Sequence, residues 1–436
     1  MLQSSRRFSL CQIACLSSAI AWAATLVISV GCRVRAELHD GPKALVDEVW
    51  QVVNRRYVDK TFNSVDWQAT RQSLLSKNYT SKEQAIAAVR EALKQLGDPY
   101  TRFLDPEQYQ ALNEGSIYGQ LPGVIGIQVK QNEKTKQLTV EDTLLNSPAR
   151  KAGVKAGDQI VAINGKPTKG MKKEEASKLI RGKAGTAVTL QIKRQQKIFN
   201  LKVTRANYEV PKVSYNLKQE GAKRIGYIRL SEFSATAPKQ MRGAIASLNA
   251  KRVNGFVLDL RGNPGGLLLA SVDIARMWMD NGAIVREVER EGGSKNFAAD
   301  HTALTKQPLV VLVDGNSASA SEILAGALKD NRRAVVVGSQ TFGKALVQQL
   351  QPLSDGSGMT VTVSHYFTPK GTDINHKGIA PNVRIDLTSS QQKQLATKPT
   401  LIGTKSDPQY RRAIAVLASN AFTAYSPSPS GKTYQD

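Results

Sequence analysis

VLVDGNSASASEILAGALKDNRRAVVVGSQTFGKALVQQL, residues 311–350, decides how this chain is read. It opens on an apolar run ending near Val313, a buried strand. A polar loop over 314–321 follows, then a helix carrying Ile323, Leu324 and Leu328. Ser317, Ser319 and Ser321 therefore sit where a strand gives way to a helix N-terminus. Backbone N–H groups and the positive end of the helix dipole suit an oxyanion there. Ser319 and Glu322 also spell S-x-x-E, the ordinary capping box, and a serine in that place is usually only a cap. A serine hydroxyl needs a base. The same segment offers Lys344, between Gly343 and an apolar strand. Lysine serves as a base only when neutral, so its free pKa of about 10.4 must fall to roughly 7–8. Burial supplies such a shift, and Phe342, Ala345, Leu346 and Val347 are suitable surroundings. Gln348 lies four residues on, on the Lys344 face of a strand, where its amide can orient the amine without adding charge. Without further context Lys344 reads as a surface lysine after a glycine turn.

Working outward, GFVLDLRGNPGG at 255–266 runs a strand into a glycine-rich loop. The backbone N–H groups of such a loop can reach a ligand. An oxyanion hole needs two donors, for which Ala320 N–H and Gly265 N–H are the candidates; the bland reading is a tight strand-to-helix turn. Continuous apolar runs at 256–260, 309–313 and 334–337 alternate with helices at 270–279 and 322–328, the pattern of an α/β core. A further helix covers 408–418. Upstream, short β-type runs at 124–129, 138–140, 159–163 and 188–192, a helix at 174–180 and an Asn164-Gly165 turn make a β-rich module of about 90 residues, 116–206. Before it, helices at 43–57 and 81–96 form a helical unit over 41–115, with a Ser81/Gln84 capping box and Gly97 as the stop.

The chain has 436 residues, enough for several domains, with 41% apolar and 22% charged residues. All three cysteines lie in the first 32 residues, so the rest holds no thiol nucleophile, disulfide or cysteine-bound metal. None of the four histidines has HExxH spacing or a triad context. Residues 1–36 have Arg6 and Arg7, an apolar stretch and a Val34-Arg35-Ala36 cleavage tripeptide, the layout of a secretory signal. Its apolar run of about 20 residues also fits an uncleaved anchor. Both place the remainder outside the cytoplasm, with possible membrane association through that segment or through basic surface. Sixty Lys and Arg against 36 Asp and Glu leave +24. The basic residues are scattered, with no nucleic-acid motif, so the charge reads as solvated surface. The core runs over 207–400, a C-terminal helix over 401–425 and a disordered tail over 426–436.

Taken together, these segments resemble the carboxyl-terminal processing peptidases, the tail-specific serine proteases, with a likeness to photosynthetic-lineage members. The resemblance is carried by GDPYTRFLDP at 97–106, the module at 116–206, DLRGNPGG at 259–266, NSASASEILAGALKDN at 316–331, TFGKALVQ at 341–348 and GIAPN at 378–382. It implies a multidomain α+β protein: an N-terminal helical unit, a PDZ-like module and an α/β serine-protease core with a Ser–Lys dyad. Of the three serines the family pattern selects Ser319; it pairs Ser319 with Lys344 and adds Gln348. Asp330 matches a residue sometimes implicated near the site. The module resembles domains that hold a substrate's terminal carboxylate on backbone N–H groups, here Gly123, Ile125, Gly126 and Ile127, with Val124 where a glycine is common. The implied activity is a serine endopeptidase without cofactor or metal, acting on proteins with a free C-terminus, in a periplasm or thylakoid lumen. The rival readings are a non-catalytic PDZ scaffold or chaperone and an acyl-transfer enzyme for small molecules.

Overall fold

A computed structural model of the protein describes residues 41–113, 120–133, 135–144 and 146–419. The expected signal at 1–36, the junction near 116 and the tail from 426 lie outside the described residues.

The N-terminal unit has three longer helices: α1 (Pro42–Arg56), α2 (Trp67–Ser76) and α3 (Lys82–Gln95). Val46, Val49, Trp50 and Val53 of α1 pack with Val89 and Leu93 of α3, as their spacing predicts. Ser81 accepts the Gln84 N–H at 3.4 Å, but the Gln84 amide oxygen takes the N–H of Thr80, so only half of the capping box forms. Gly97 follows at φ 63°, a left-handed stop. The unit is not free-standing. Strand β1 (Arg102–Leu104) is antiparallel to a strand more than 250 residues later, and Leu353, Met359 and Val361 complete its core. A short helix, α4 (Pro106–Ala111), follows.

Next, β2 (Gln120–Val124) pairs antiparallel with β9 (Ala206–Glu209), a two-stranded ribbon through which the β-rich module leaves and rejoins the chain. Between them β3 (Ile127–Gln131), β4 (Leu138–Thr143), β5 (Gln159–Ile163), β7 (Ala187–Arg194) and β8 (Lys197–Thr204) form a sheet in that order, with β6 (Lys166–Pro167) on β5. Helices α5 (Pro148–Lys151) and α6 (Lys173–Ile180) belong to the module. Asn164 and Gly165 both have positive φ, as a two-residue turn of the I′ kind requires. The apolar run at 124–129 is two strands rather than one. Gly126, at φ 74°, turns the chain from the ribbon into β3.

The core sheet runs β10 (Val213–Glu220), β11 (Lys223–Leu230), β12 (Gly255–Asp259), β15 (Leu309–Val313), β16 (Val335–Gly338), β19 (Val383–Arg384), parallel from β11 onward. One face carries α7 (Ala237–Ala250), α8 (Leu268–Trp278) and α9 (Ala320–Asp330); the other carries α11 (Pro408–Ala418). Covered on both faces, β12 and β15 are buried at every residue, hence their unbroken apolar runs. A helix α10 (Ser389–Thr397) precedes α11. The alternation did not foretell a second, antiparallel sheet: β1, β18 (Gly358–Phe367), β13 (Ala283–Glu289) and β14 (Ser294–Ala298) in order, with β17 (Leu346–Pro352) also on β18. Its strands are half-polar and pair across long stretches of chain, so no local run announces them.

Candidate active site

Ser319 is the N-cap of α9 and stands at φ 54°, ψ −115°, well outside the conformations a side-chain-bearing residue prefers. It closes a capping box with Glu322, and among the described residues its hydroxyl donates to no acceptor. Its two neighbours are engaged: Ser317 Oγ donates to Leu260 O at 2.9 Å and Ser321 Oγ to Asn263 O at 2.9 Å, both buried. The structure thus separates three serines that their spacing leaves equal: Ser317 and Ser321 donate their hydroxyl protons to buried carbonyls, and Ser319 does not.

Ser319, Lys344 and Gln348 line one cavity of about 700 Å³. Burial lowers the Lys344 pKa, as does Arg102, against the opposing pull of Asp98 and Glu322. The shelter is not wholly the one expected: Phe342 is 55% exposed, while Ala345 is buried. No hydrogen bond joins Lys344 Nζ to Ser319 Oγ. Nζ instead lies over the Tyr100 ring, 4.0 Å from its centroid. Lys344 precedes β17, and a register shift separates Val347 from Gln348. The Gln348 amide donates to Thr362 Oγ1 at 3.3 Å rather than to the lysine.

Glu322 does much more than cap. It is fully buried, and its carboxylate accepts the Ser319 N–H at 2.8 Å, the Lys344 N–H at 2.9 Å, the Gly343 N–H at 2.7 Å and the Thr341 hydroxyl at 2.6 Å. Burial raises its pKa and the four donors oppose that rise. On the other side, the buried Tyr366 hydroxyl is shared between the Ser319 carbonyl, at 3.1 Å, and the Lys344 carbonyl. One carboxylate therefore holds the N–H groups of both Ser319 and Lys344, and one phenol their C=O groups. Sequence reasoning weighed Glu322 only as a capping partner and missed Tyr366, which β18 brings in from a distant position.

The 97–102 stretch also enters the site. Asp98 accepts the Tyr100 N–H and the hydroxyls of Thr101 and Thr362, at 2.7–2.8 Å, and Tyr100 and Arg102 line the cavity beside Lys344. Asp330, by contrast, ends α9 eleven residues from Ser319, about 16 Å along the helix, and takes the Lys370 N–H at 3.2 Å.

The glycine loop packs on the serine. A Cβ on Gly265 would lie 2.9 Å from Ser319 Cβ and 3.0 Å from Ala320 N. The expectation that Gly265 N–H is a free oxyanion donor needs correction, because it donates to Asn263 Oδ1 at 2.9 Å. Gly266 and Ala320 both line the cavity. Ala320 N–H opens α9, where a helix has no acceptor of its own.

In the β-rich module, a groove of about 490 Å³ runs between β3 and α6. Ile125, Gly126, Ile127 and Val129 line one wall, and Lys173, Ser177, Ile180 and Arg181 the other. Gly123, at φ 58°, does not line the groove, contrary to expectation; a Cβ there would fall 1.6 Å from Gly182 O, so only glycine fits. Val124, in the place of a common glycine, is buried and needs no positive φ.

Residues 224–385 match peptidase family S41, and residues 139–194 match the PDZ domain. The chain is 41% identical over 397 residues to a carboxyl-terminal-processing protease of Picosynechococcus sp., covering 91% of this chain and 94% of the relative. It is 37% identical over 388 residues to carboxyl-terminal-processing peptidase 3, chloroplastic, of Arabidopsis thaliana, covering 85% and 74%. It also resembles the solved photosystem II D1 C-terminal processing protease, with a TM-score of 0.54 and 36% identity over 85% of this chain and 99% of that one. Fold and site are those of a PDZ-bearing serine peptidase of family S41. Within it, the chain belongs to the carboxyl-terminal-processing proteases.

Proposed function

We propose that the protein is an endopeptidase that takes the free C-terminal tail of a substrate protein in its PDZ groove and cleaves it with Ser319 and Lys344. The observation that carries this reading is the shared hold on the two residues by Glu322 and Tyr366. A scaffold has no use for a strained serine and a desolvated amine fixed in register across one cavity. The tail would add as a strand beside β3, its carboxylate on the backbone N–H groups at 125–127. Neutral Lys344 would leave the Tyr100 ring, accept the Ser319 Oγ proton as Oγ bonds to the scissile carbonyl carbon, and then protonate the leaving amine as the C–N bond breaks. Water, deprotonated by the same amine, would split the acyl-enzyme and return the proton to Oγ. Ala320 N–H would hold the oxyanion, with Gly266 N–H as second donor. Gln348 would orient the lysine. The chloroplast and cyanobacterial relatives support export to a thylakoid lumen or periplasm. Among the described residues no helix is long and apolar enough to cross a membrane.

The test is proteolysis of a denatured reporter protein with an apolar free tail by wild type, Ser319→Ala and Lys344→Ala, with mass analysis of the products. Cleavage by wild type alone, weakened by amidating the tail, is expected. Cleavage by either variant at the wild-type rate would exclude the dyad, and indifference to amidation would exclude tail capture. Inactivity of all three with tail binding retained would favour the scaffold.

A further inference from the structure

The GDPYTRFLDP stretch is the motif that the reaction above leaves without a task. Its backbone is pinned on both sides of Tyr100: the Tyr100 N–H donates to Asp98 Oδ1 at 2.8 Å, and its carbonyl accepts the Thr360 hydroxyl at 2.7 Å. Asp98 is in turn fixed by Thr101 and Thr362, and Arg102 pairs with Thr360 across β1 and β18. This frame turns the Tyr100 ring face toward Lys344 Nζ, 4.0 Å away, and among the described residues Nζ has no hydrogen-bond partner. An aromatic face attracts an ammonium and gives a neutral amine almost nothing. The contact therefore discriminates between the two protonation states through which a lysine base must pass.

We propose that Tyr100 is a positioning residue for the reaction: its ring seats the protonated form of Lys344, so that the N-terminal helical unit sets the lower pH limit of the peptidase. The proposal rests on the reading of Lys344 as the base. Three charged groups face Nζ. Asp98, from the same N-terminal stretch, and Glu322, from α9, favour the ammonium; Arg102, from β1, opposes it, as does burial. The ring adds to the first pair. It offsets part of the desolvation, so the lysine, once it has taken the Ser319 proton, holds that proton long enough to deliver it to the leaving amine. The sign follows. Removing the ring destabilises the ammonium, lowers the lysine pKa, and lets the neutral base persist to lower pH.

The test is the pH profile of kcat/KM on the tailed reporter, with the full chain, for wild type, Tyr100→Phe and Tyr100→Leu. Tyr100→Phe keeps the ring and should keep the acid limb. Tyr100→Leu should move that limb down by about one pH unit, the size of a partly desolvated cation–π contact. A second measurement needs no turnover: in Ser319→Ala, the rate at which a small amine-reactive reagent labels Lys344, read by mass spectrometry against pH, should show the same displacement when Tyr100→Leu is added. If Tyr100→Leu does not fold, phenylalanines of increasing fluorination at this position keep the shape and weaken the ring face, and each step should lower the limb. A Tyr100→Leu limb that coincides with wild type, a Tyr100→Phe shift as large as that of Tyr100→Leu, or an unmoved fluorination series overturns the proposal. An unmoved labelling profile beside an inactive Lys344→Ala overturns the role of Tyr100 and leaves the dyad standing. An active Lys344→Ala removes both.

Discussion

The Ser319 backbone conformation costs a non-glycine residue roughly 1–3 kcal/mol, and it persists because the surroundings over-determine it. Glu322 fixes its N–H, Tyr366 its carbonyl, and the bare Cα of Gly265 leaves room for its Cβ. Lys344 carries a cost of another kind. Burial holds its pKa below the ordinary lysine value. Between that lowered value and about 10.4 the unfolded chain binds a proton that the folded chain gives up, so stability rises with pH across this window. Lys344→Met keeps the bulk and removes the cost. The variant should be more stable than wild type at pH 7, and the difference should shrink as pH passes 10. Denaturant unfolding at both pH values reads this, and equal stability at pH 7 would contradict the desolvated lysine.

At the scale of elements, the site is a clamp between helix α9 and the loop that enters β17. Glu322, on the first turn of α9, reaches the loop at Thr341, Gly343 and Lys344. Glu322→Gln would set an amide N–H₂ against groups that all donate, leaving at least one buried donor unpaired. The expected loss is about 2–3 kcal/mol of stability, in the range for hydrogen bonds to a charged group. Because Glu322 lies beneath the cavity rather than in it, kcat should fall with KM nearly constant. A matched rise in KM would show that the carboxylate reaches the substrate instead. S-x-x-E was legible as a helix start. That the same carboxylate also binds the lysine loop was not, since the loop lies some 20 residues on and only the packed fold closes that gap.

For the whole molecule, the DLRGNPGG loop hangs on a buried ion cluster. Arg261 donates to Asp259 at 2.6 and 2.9 Å and to Asp407, just ahead of α11, at 2.7 and 3.0 Å. Burial alone would raise the Asp259 pKa, but Arg261 and the Tyr227 hydroxyl hold it below the ordinary carboxylate value. The C-terminal helix is thereby tied to the loop that packs on Ser319. Asp407→Ala leaves part of a buried guanidinium unpaired and should cost about 3–5 kcal/mol, measured by denaturant unfolding of the full chain. A loss below about 1 kcal/mol would mean that water replaces the carboxylate. The N-terminal unit is joined to the core as firmly, through β1 on β18 and a shared apolar core.

What the sequence alone determined follows from short-range physics. Apolar periodicity and caps located α1, α3 and α11, and the unbroken runs located β5 and β15. The segment at 311–350 put a serine at a helix start and a lysine 25 residues on, and family resemblance made them a pair. The tertiary structure decided what depends on contacts between distant residues. It tied the hydroxyls of Ser317 and Ser321 to buried carbonyls and not that of Ser319, took the Gly265 N–H for Asn263, and set Asp330 at the far end of α9. It assembled the antiparallel sheet from half-polar strands, and that sheet delivers Tyr100 and Tyr366 to the site. Tyr366 carries no local mark, and Tyr100 only its place in GDPYTRFLDP, because what each ring touches is decided by the partner that folding sets opposite it.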